Sequence, residues 1–189
     1  MGKHKWLLII AISLFLVPYC MVAASGADTS SSADDWTMFR HDLNRSGYTT
    51  GTSSANSFKI LWTSETWRGV MSSPAVANGC VVVGANDWRI YCLDLSNGKP
   101  FWNISTGNEV HSSPAIYNNS VYIGSDNGYV YRLDIATGTV LWKTEVGGFV
   151  RSSPAIADGR VYIGSGEHDV FCLDASDGAE IWRLSLIHI

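Results

Sequence analysis

The residues of this chain that could do chemistry recur at fixed intervals. Ser-Ser-Pro triplets begin at Ser72, Ser112 and Ser152. A serine nucleophile needs a base within hydrogen-bond reach, and His111 is the one histidine that adjoins a triplet. Shared by all three sites, the triplets read instead as small residues on a crowded inner strand. Their proline starts the strand where a missing N–H does no harm. Asp94, Asp134 and Asp174 could serve as an acid and base pair, but their regular spacing assigns each to a different structural unit. His168, flanked by Glu167 and Asp169, could assist a metal ion. One histidine with adjacent acids lacks convergent ligands, and the segment reads as a solvated hairpin tip. His4, His41 and His188 form no cluster.

The elements that must position these residues are set by a forty-residue repeat starting at Val70, Val110 and Val150. A repeat decides architecture before any single residue does. Within each copy four short β-prone runs alternate with turn chemistry, as in SPAIY, SVYIGS, YVYRLD and TVLWKT of the second copy. The breaks carry Asn, Asp and Gly, which supply the positive φ that tight hairpins need. Each copy is therefore expected to be a four-stranded antiparallel meander, and the fold class is all-β, built of β-propeller blades. The predicted blades span about 70–109, 110–149 and 150–189. Residues shared by every copy serve the repeat, so ligand chemistry belongs to the positions where the copies differ.

Three segments carry a family resemblance: Leu93-Asp94…Gly98…Trp102, Leu133-Asp134…Gly138…Trp142 and Leu173-Asp174…Gly178…Trp182. They resemble the tryptophan-docking motif of the pyrroloquinoline-quinone-like (PQQ-like) propeller repeat, and WTMFRHDLNRSGYTT from Trp36 resembles the opening of exported members. The resemblance implies that each indole packs into the neighbouring blade. The Asp is expected to hydrogen-bond the turn that follows it, which the Gly closes. The family includes quinoprotein dehydrogenases, a scaffold lipoprotein of bacterial outer-membrane assembly and cell-surface proteins, so it implies fold far more sharply than activity.

Trp62 lies forty residues before Trp102, so residues 58–64 are expected to form an outer closing strand. With three blades this makes an incomplete ring, whereas propellers have at least about four blades. The tail from Leu184 to Ile189 departs from the polar strand exits of the other copies and resembles an in-frame translation of a sequencing adapter. The expectation is a truncated gene model, with further blades belonging to the full-length chain.

Before the repeat, basic Lys3 and Lys5 precede an apolar run from Trp6 to Val17 and the small residues Ala23 and Ala24. This is the order of a secretory signal peptide at residues 1–24. A flexible polar lead-in is expected over 25–35 and the partial propeller over 36–189. The predicted location is exported: extracellular, cell surface or periplasm. Export would leave eleven basic residues against 17 acidic ones. No Lys/Arg cluster is present, which argues against nucleic acid and against membrane contact beyond the signal segment. Cys80, Cys92 and Cys172 are too few and too odd in number for a disulfide framework. Cys80 and Cys92 could pair, but two small buried thiols are the preferred reading.

In closed propellers, ligands meet the loops that lead into the inner strands. The variable positions there are Met71, His111 and Arg151, with Arg68, Glu109 and Phe149 nearby. These six are the candidate ligand contacts. The structural docking set is Trp62, Asp94, Gly98, Trp102, Asp134, Gly138, Trp142, Asp174, Gly178 and Trp182. The expected function is a non-catalytic binding or scaffold propeller that presents loops to a protein or glycan partner, with no catalytic residue, cofactor or metal. The alternative implied by the resemblance is a fragment of a quinone-dependent alcohol or sugar dehydrogenase, with pyrroloquinoline quinone and calcium in its channel. The adjacent Cys-Cys pair common in such enzymes does not occur in this sequence.

Overall fold

The computed structural model describes residues 35–42 and 59–186. Twelve strands form three separate four-stranded antiparallel sheets, each in sequential order. Blade 1 contains β1 (Ala75–Ala77), β2 (Cys80–Gly84), β3 (Arg89–Asp94) and β4 (Pro100–Ser105). Blade 2 contains β5 (Ala115–Tyr117), β6 (Ser120–Gly124), β7 (Tyr129–Asp134) and β8 (Val140–Glu145). Blade 3 contains β9 (Ala155–Ala157), β10 (Arg160–Gly164), β11 (Asp169–Asp174) and β12 (Glu180–Ser185). The architecture is all-β and the sheets do not close into a ring among the described residues. No helix among those residues is long and apolar enough to cross a membrane. The signal-peptide reading and most of the polar lead-in lie outside the described residues.

Strand alternation explains how the blades share a core. Successive side chains point to opposite faces of a sheet, so Val121 and Ile123 of β6 join Ala75, Val82 and Cys92 in the cluster between blades 1 and 2. Tyr122 of the same strand joins Ile156, Val161 and Phe171 between blades 2 and 3. Blade 2 is thus buried on both faces, and β6 is buried at every position. Cys80, Cys92 and Cys172 are free and buried within this packing.

Tryptophan joins the blades through one repeated contact. The Trp102 indole N–H donates to the Ile135 carbonyl at 2.8 Å, and that of Trp142 donates to Ala175 at 3.1 Å. Each indole lies flat against a turn glycine. A Cβ on Gly138 would stand 2.7 Å from the Trp102 ring, and one on Gly178 would stand 2.7 Å from that of Trp142. Both glycines also have φ above +70°, so the turn requires glycine twice over. The turn is fastened by its aspartate: the Gly138 amide donates to the Asp134 carbonyl at 2.8 Å, and the Thr137 amide to Asp134 Oδ1 at 2.8 Å. The hydrogen bonds from Thr137 hold the Asp134 carboxyl below its ordinary pKa, and those from Ser96 and Ser176 act likewise on Asp94 and Asp174.

Trp62 takes the corresponding seat on blade 1. Its indole donates to Leu95 at 2.9 Å and lies against Gly98. Residues 59–64 form no strand, however, because an outer strand needs a sheet to pair with and none is present on that side among the described residues. Trp182, at the other side of the arc, is 41 % exposed against 9 % for Trp142.

A further segment crosses the inner edge of the arc. Trp36 and Val76 exchange both backbone hydrogen bonds, at 2.8 and 2.7 Å, and the Ile116 amide donates to Thr37 at 2.7 Å. The peptide thereby satisfies inner-edge groups of β1 and β5, and Met38 is buried in the core between blades 2 and 3.

Trp142→Ala is expected to cost about 3–5 kcal/mol in denaturant unfolding, the usual range for truncating a buried aromatic, and Trp182→Ala much less. Asp134→Ala should lower the melting temperature at neutral pH. A depressed carboxylate pKa contributes stability above its unfolded value and loses it as pH falls through the folded one. The gap between wild type and variant should therefore close in acid, as a pH series of thermal melts would show.

Candidate functional site

The loops at one end of the blades are held by a hydrogen bond repeated in each copy. The amides of Asn86, Asp126 and Gly166 donate to the carbonyls of Gly69, Glu109 and Phe149 at 2.9, 2.9 and 2.7 Å. Each bond ties the loop leading into an inner strand to the middle hairpin of the same blade. Positions 71, 111 and 151 are thus set beside positions 86, 126 and 166, and these are positions at which the copies differ.

The Ser-Ser-Pro hydroxyls serve this scaffold. Ser72 Oγ donates to the Gly84 carbonyl and accepts from its amide, both at 2.9 Å, and Ser152 does the same with Gly164 at 2.8 Å. Ser112 Oγ donates to the Ser152 carbonyl at 2.7 Å and so links two blades. Each hydroxyl is committed to backbone, and His111 points elsewhere.

His111 stands at the centre of a polar chain spanning all three blades. Its Nδ1 lies 3.1 Å from Asp126 Oδ2 and its Nε2 lies 3.5 Å from Glu109 Oε2. Arg151 of blade 3 grips Asp126 with Nε at 3.2 Å from Oδ1 and Nη2 at 2.8 Å from Oδ2. Arg68 reaches Glu109 at 3.9 Å from blade 1. Asp126 is the buried member, its side chain 3 % exposed. Hydrogen bonding to Asp126 raises the Arg151 pKa, with the charge of the carboxylate adding to it. The chain is capped at both ends by aromatic rings. The Arg68 guanidinium carbon lies 5.9 Å from the Trp88 ring centre and that of Arg151 lies 4.9 Å from that of Phe149.

Of the six candidate contacts, five are brought into this chain: Arg68, Glu109, His111, Phe149 and Arg151. Met71 is 69 % exposed and takes no part in it. Asp126 was missed by sequence reasoning because it sits in a turn that already explains an aspartate. The signal was that blade 1 has Asn86 and blade 3 has Gly166 at that position. His168 joins no metal-ligand group. Among the described residues that group is Glu109, His111 and Asp126, with their ligand atoms within 4.8 Å of one another.

These residues do not fit calcium. Calcium takes six to eight oxygens, and here both Asp126 oxygens accept from Arg151 while a second guanidinium faces Glu109. No step through quinone and calcium follows from this arrangement.

Three blades with indoles docked on their neighbours define a β-propeller of the PQQ-like repeat class. Residues 52–186 match the family described as outer membrane protein assembly factor BamB, and the chain belongs to that family. Among solved structures it resembles the quinohemoprotein alcohol dehydrogenase ADHIIG of Pseudomonas putida HK5 at 20 % identity and a TM-score of 0.72, covering 81 % of this chain and 27 % of that one. It resembles BamB of Moraxella catarrhalis at 22 % identity and a TM-score of 0.59, covering 67 % of this chain and 40 % of that one. Quinohemoprotein alcohol dehydrogenase of Comamonas testosteroni matches at 23 % identity and 0.68, over 79 % of this chain and 27 % of that one. At these identities the likeness is one of fold, and the chain spans well under half the length of each. No curated protein matches the sequence.

Asp126→Ala should lower the melting temperature by several degrees, because it leaves His111 and Arg151 without their common acceptor. Arg151→Ala should cost less, and a double-mutant cycle should show the two effects to be non-additive.

Proposed function

We propose that this chain is an exported, non-catalytic binding or scaffold propeller whose loop face engages a protein or glycan partner. The observation that carries this reading is the closed chain Arg68–Glu109–His111–Asp126–Arg151. Its acids are matched by two guanidiniums and an imidazole, so no base stands free beside a nucleophile. Such a network fixes side chains in place, which favours recognition by lowering the entropy lost on binding. Aromatic residues and arginine, the types enriched at binding hot spots, occupy its ends. Membership in a family described by an assembly factor supports the same reading.

The alternative, a portion of a quinone-dependent alcohol or sugar dehydrogenase, draws on the fold of two similar structures. The donor set of the loop face weighs against it. Supplying the protein with pyrroloquinoline quinone, calcium and a dye acceptor should produce no alcohol- or sugar-dependent dye reduction. Reduction that needs both quinone and calcium would overturn the proposal.

A further inference from the structure

We propose that the mouth of blade 1 is a carbohydrate-binding platform for a neutral pyranose unit of a glycan, formed by Trp67, Trp88 and Arg68 over the side chains of Asn86 and Asp87. This rests on the binding reading above and assigns it a ligand class.

Three independent observations meet there. The first is the pair of exposed indoles. Trp67 is 91 % exposed and Trp88 47 % exposed, and both are anchored at Asp87. Trp88 follows Asp87 in sequence, and the Trp67 amide donates to Asp87 Oδ2 at 3.1 Å. Tyr91 donates its hydroxyl to the same oxygen at 2.6 Å, so Asp87 positions the loop that carries Trp67. The electron-rich face of an indole suits the apolar C–H face of a sugar ring.

The second observation is backbone strain. Trp88 has φ of +71°, in the left-handed region that disfavours bulky side chains. The equivalent residue of blade 2 is Gly128, with φ of +88°. Blade 3 has His168 there with φ of +68°, so the fold imposes the left-handed conformation on whichever residue stands at this position, and blade 1 places an indole in it. An unfavourable conformation held at an exposed aromatic points to presentation rather than packing.

The third is unmet hydrogen-bonding capacity. Asn86 Oδ1 and Asp87 Oδ1 are buried and accept no hydrogen bond. Their counterparts in blade 2 are satisfied, Asp126 by His111 and Arg151, and Asn127 Oδ1 by the Tyr129 amide. Blade 1 has Met71 where blade 2 has His111, so the donor is missing. Sugar hydroxyls are donors of the required kind. The loop above these acceptors is held to the same two residues at other atoms, the Asn86 amide donating to Gly69 and the Trp67 amide to Asp87 Oδ2, so a ligand that displaces those two loop hydrogen bonds reaches both acceptors. Arg68, with its side chain 60 % exposed and its ion pair to Glu109 at 3.9 Å, keeps donors for further hydroxyls. The carboxylates of Asp87 and Glu109 beside it favour a neutral sugar over an acidic one.

The test is affinity electrophoresis of the full chain through gels containing a soluble β-glucan, a galactomannan, a xylan or a polyuronate. Retardation by at least one neutral glycan is expected. Trp67→Ala and Trp88→Gly should each weaken it at least tenfold, and Phe101→Ala, which removes an exposed aromatic from the outer strand β4 away from the loop face, should leave it unchanged. Trp88→Gly relieves the strained backbone, so its melting temperature should equal or exceed that of wild type, which separates loss of binding from loss of fold. Failure of all neutral glycans to retard the protein, retardation by polyuronate alone, or retardation indifferent to both tryptophan variants would overturn the proposal. If neutral glycans fail while the quinone assay is also silent, the sugar assignment falls and the binding reading stands.

Discussion

Everything in this structure depends on an indole lying flat on a glycine turn of the next blade. A single four-stranded meander cannot bury its faces, and the blades have no backbone ladder in common. The contact between Trp142 and the Asp174–Gly178 turn supplies what a ladder would: a directional hydrogen bond to the Ala175 carbonyl and a large apolar face. The constraint is reciprocal. The turn must hold φ above +70° with no Cβ, and its aspartate must hold the turn, so Leu-Asp, Gly and Trp recur together in every copy. A second close approach works in the same sense. A Cβ on Gly124 would stand 2.3 Å from Val150 Cγ1, so the end of one blade's second strand must be bare for the next blade's leading valine to cross it.

These constraints divide the chain into positions owned by the fold and positions released from it. The first serine of each triplet, the valine before it and the turn aspartates are owned. Positions 71/111/151, 86/126/166 and 88/128/168 are released, and the scaffold holds their backbones in equivalent places. One geometry consequently supports two different surfaces. In blade 2, His111 and Asp126 form a buried polar link that Arg151 extends into blade 3. In blade 1 the same places hold Met71 and Asn86, and the link is absent. A charged chain that satisfies itself at one blade boundary and leaves unmatched acceptors at the next is a surface with a preferred side.

What could be read from residues alone follows the range of the interactions. Turn chemistry is local, so the hairpins, blade count and order of strands were legible from Asn-Gly, Asp-Gly and Thr-Gly punctuation. The docking contact was legible because Trp62, Trp102, Trp142 and Trp182 keep a strict interval, although Trp62 reaches its seat without the strand that the interval predicts. The inner-edge peptide at Trp36 was not legible, since its pairing with Val76 depends on a contact between distant segments with no repeat to mark it. Asp126 was hidden for a related reason. Its partners come from two different blades, and an aspartate in a turn has a sufficient local explanation.

The electrostatics of the loop face then bear on what kind of ligand this arc can hold. A bound divalent cation requires carboxylates with free lone pairs, and Asp126 has its lone pairs directed at a guanidinium that stacks on Phe149. Opening that site would break a charge-assisted contact and the link between two blades, so stability and cation binding compete there. Blade 1 carries no such competition. Asn86 Oδ1 and Asp87 Oδ1 have no donor to give up, and its indoles already face solvent. Binding at that mouth displaces two loop hydrogen bonds but supplies donors to two acceptors that have none, and it breaks no link between blades, which is why the least self-satisfied blade is the one best placed to take a partner.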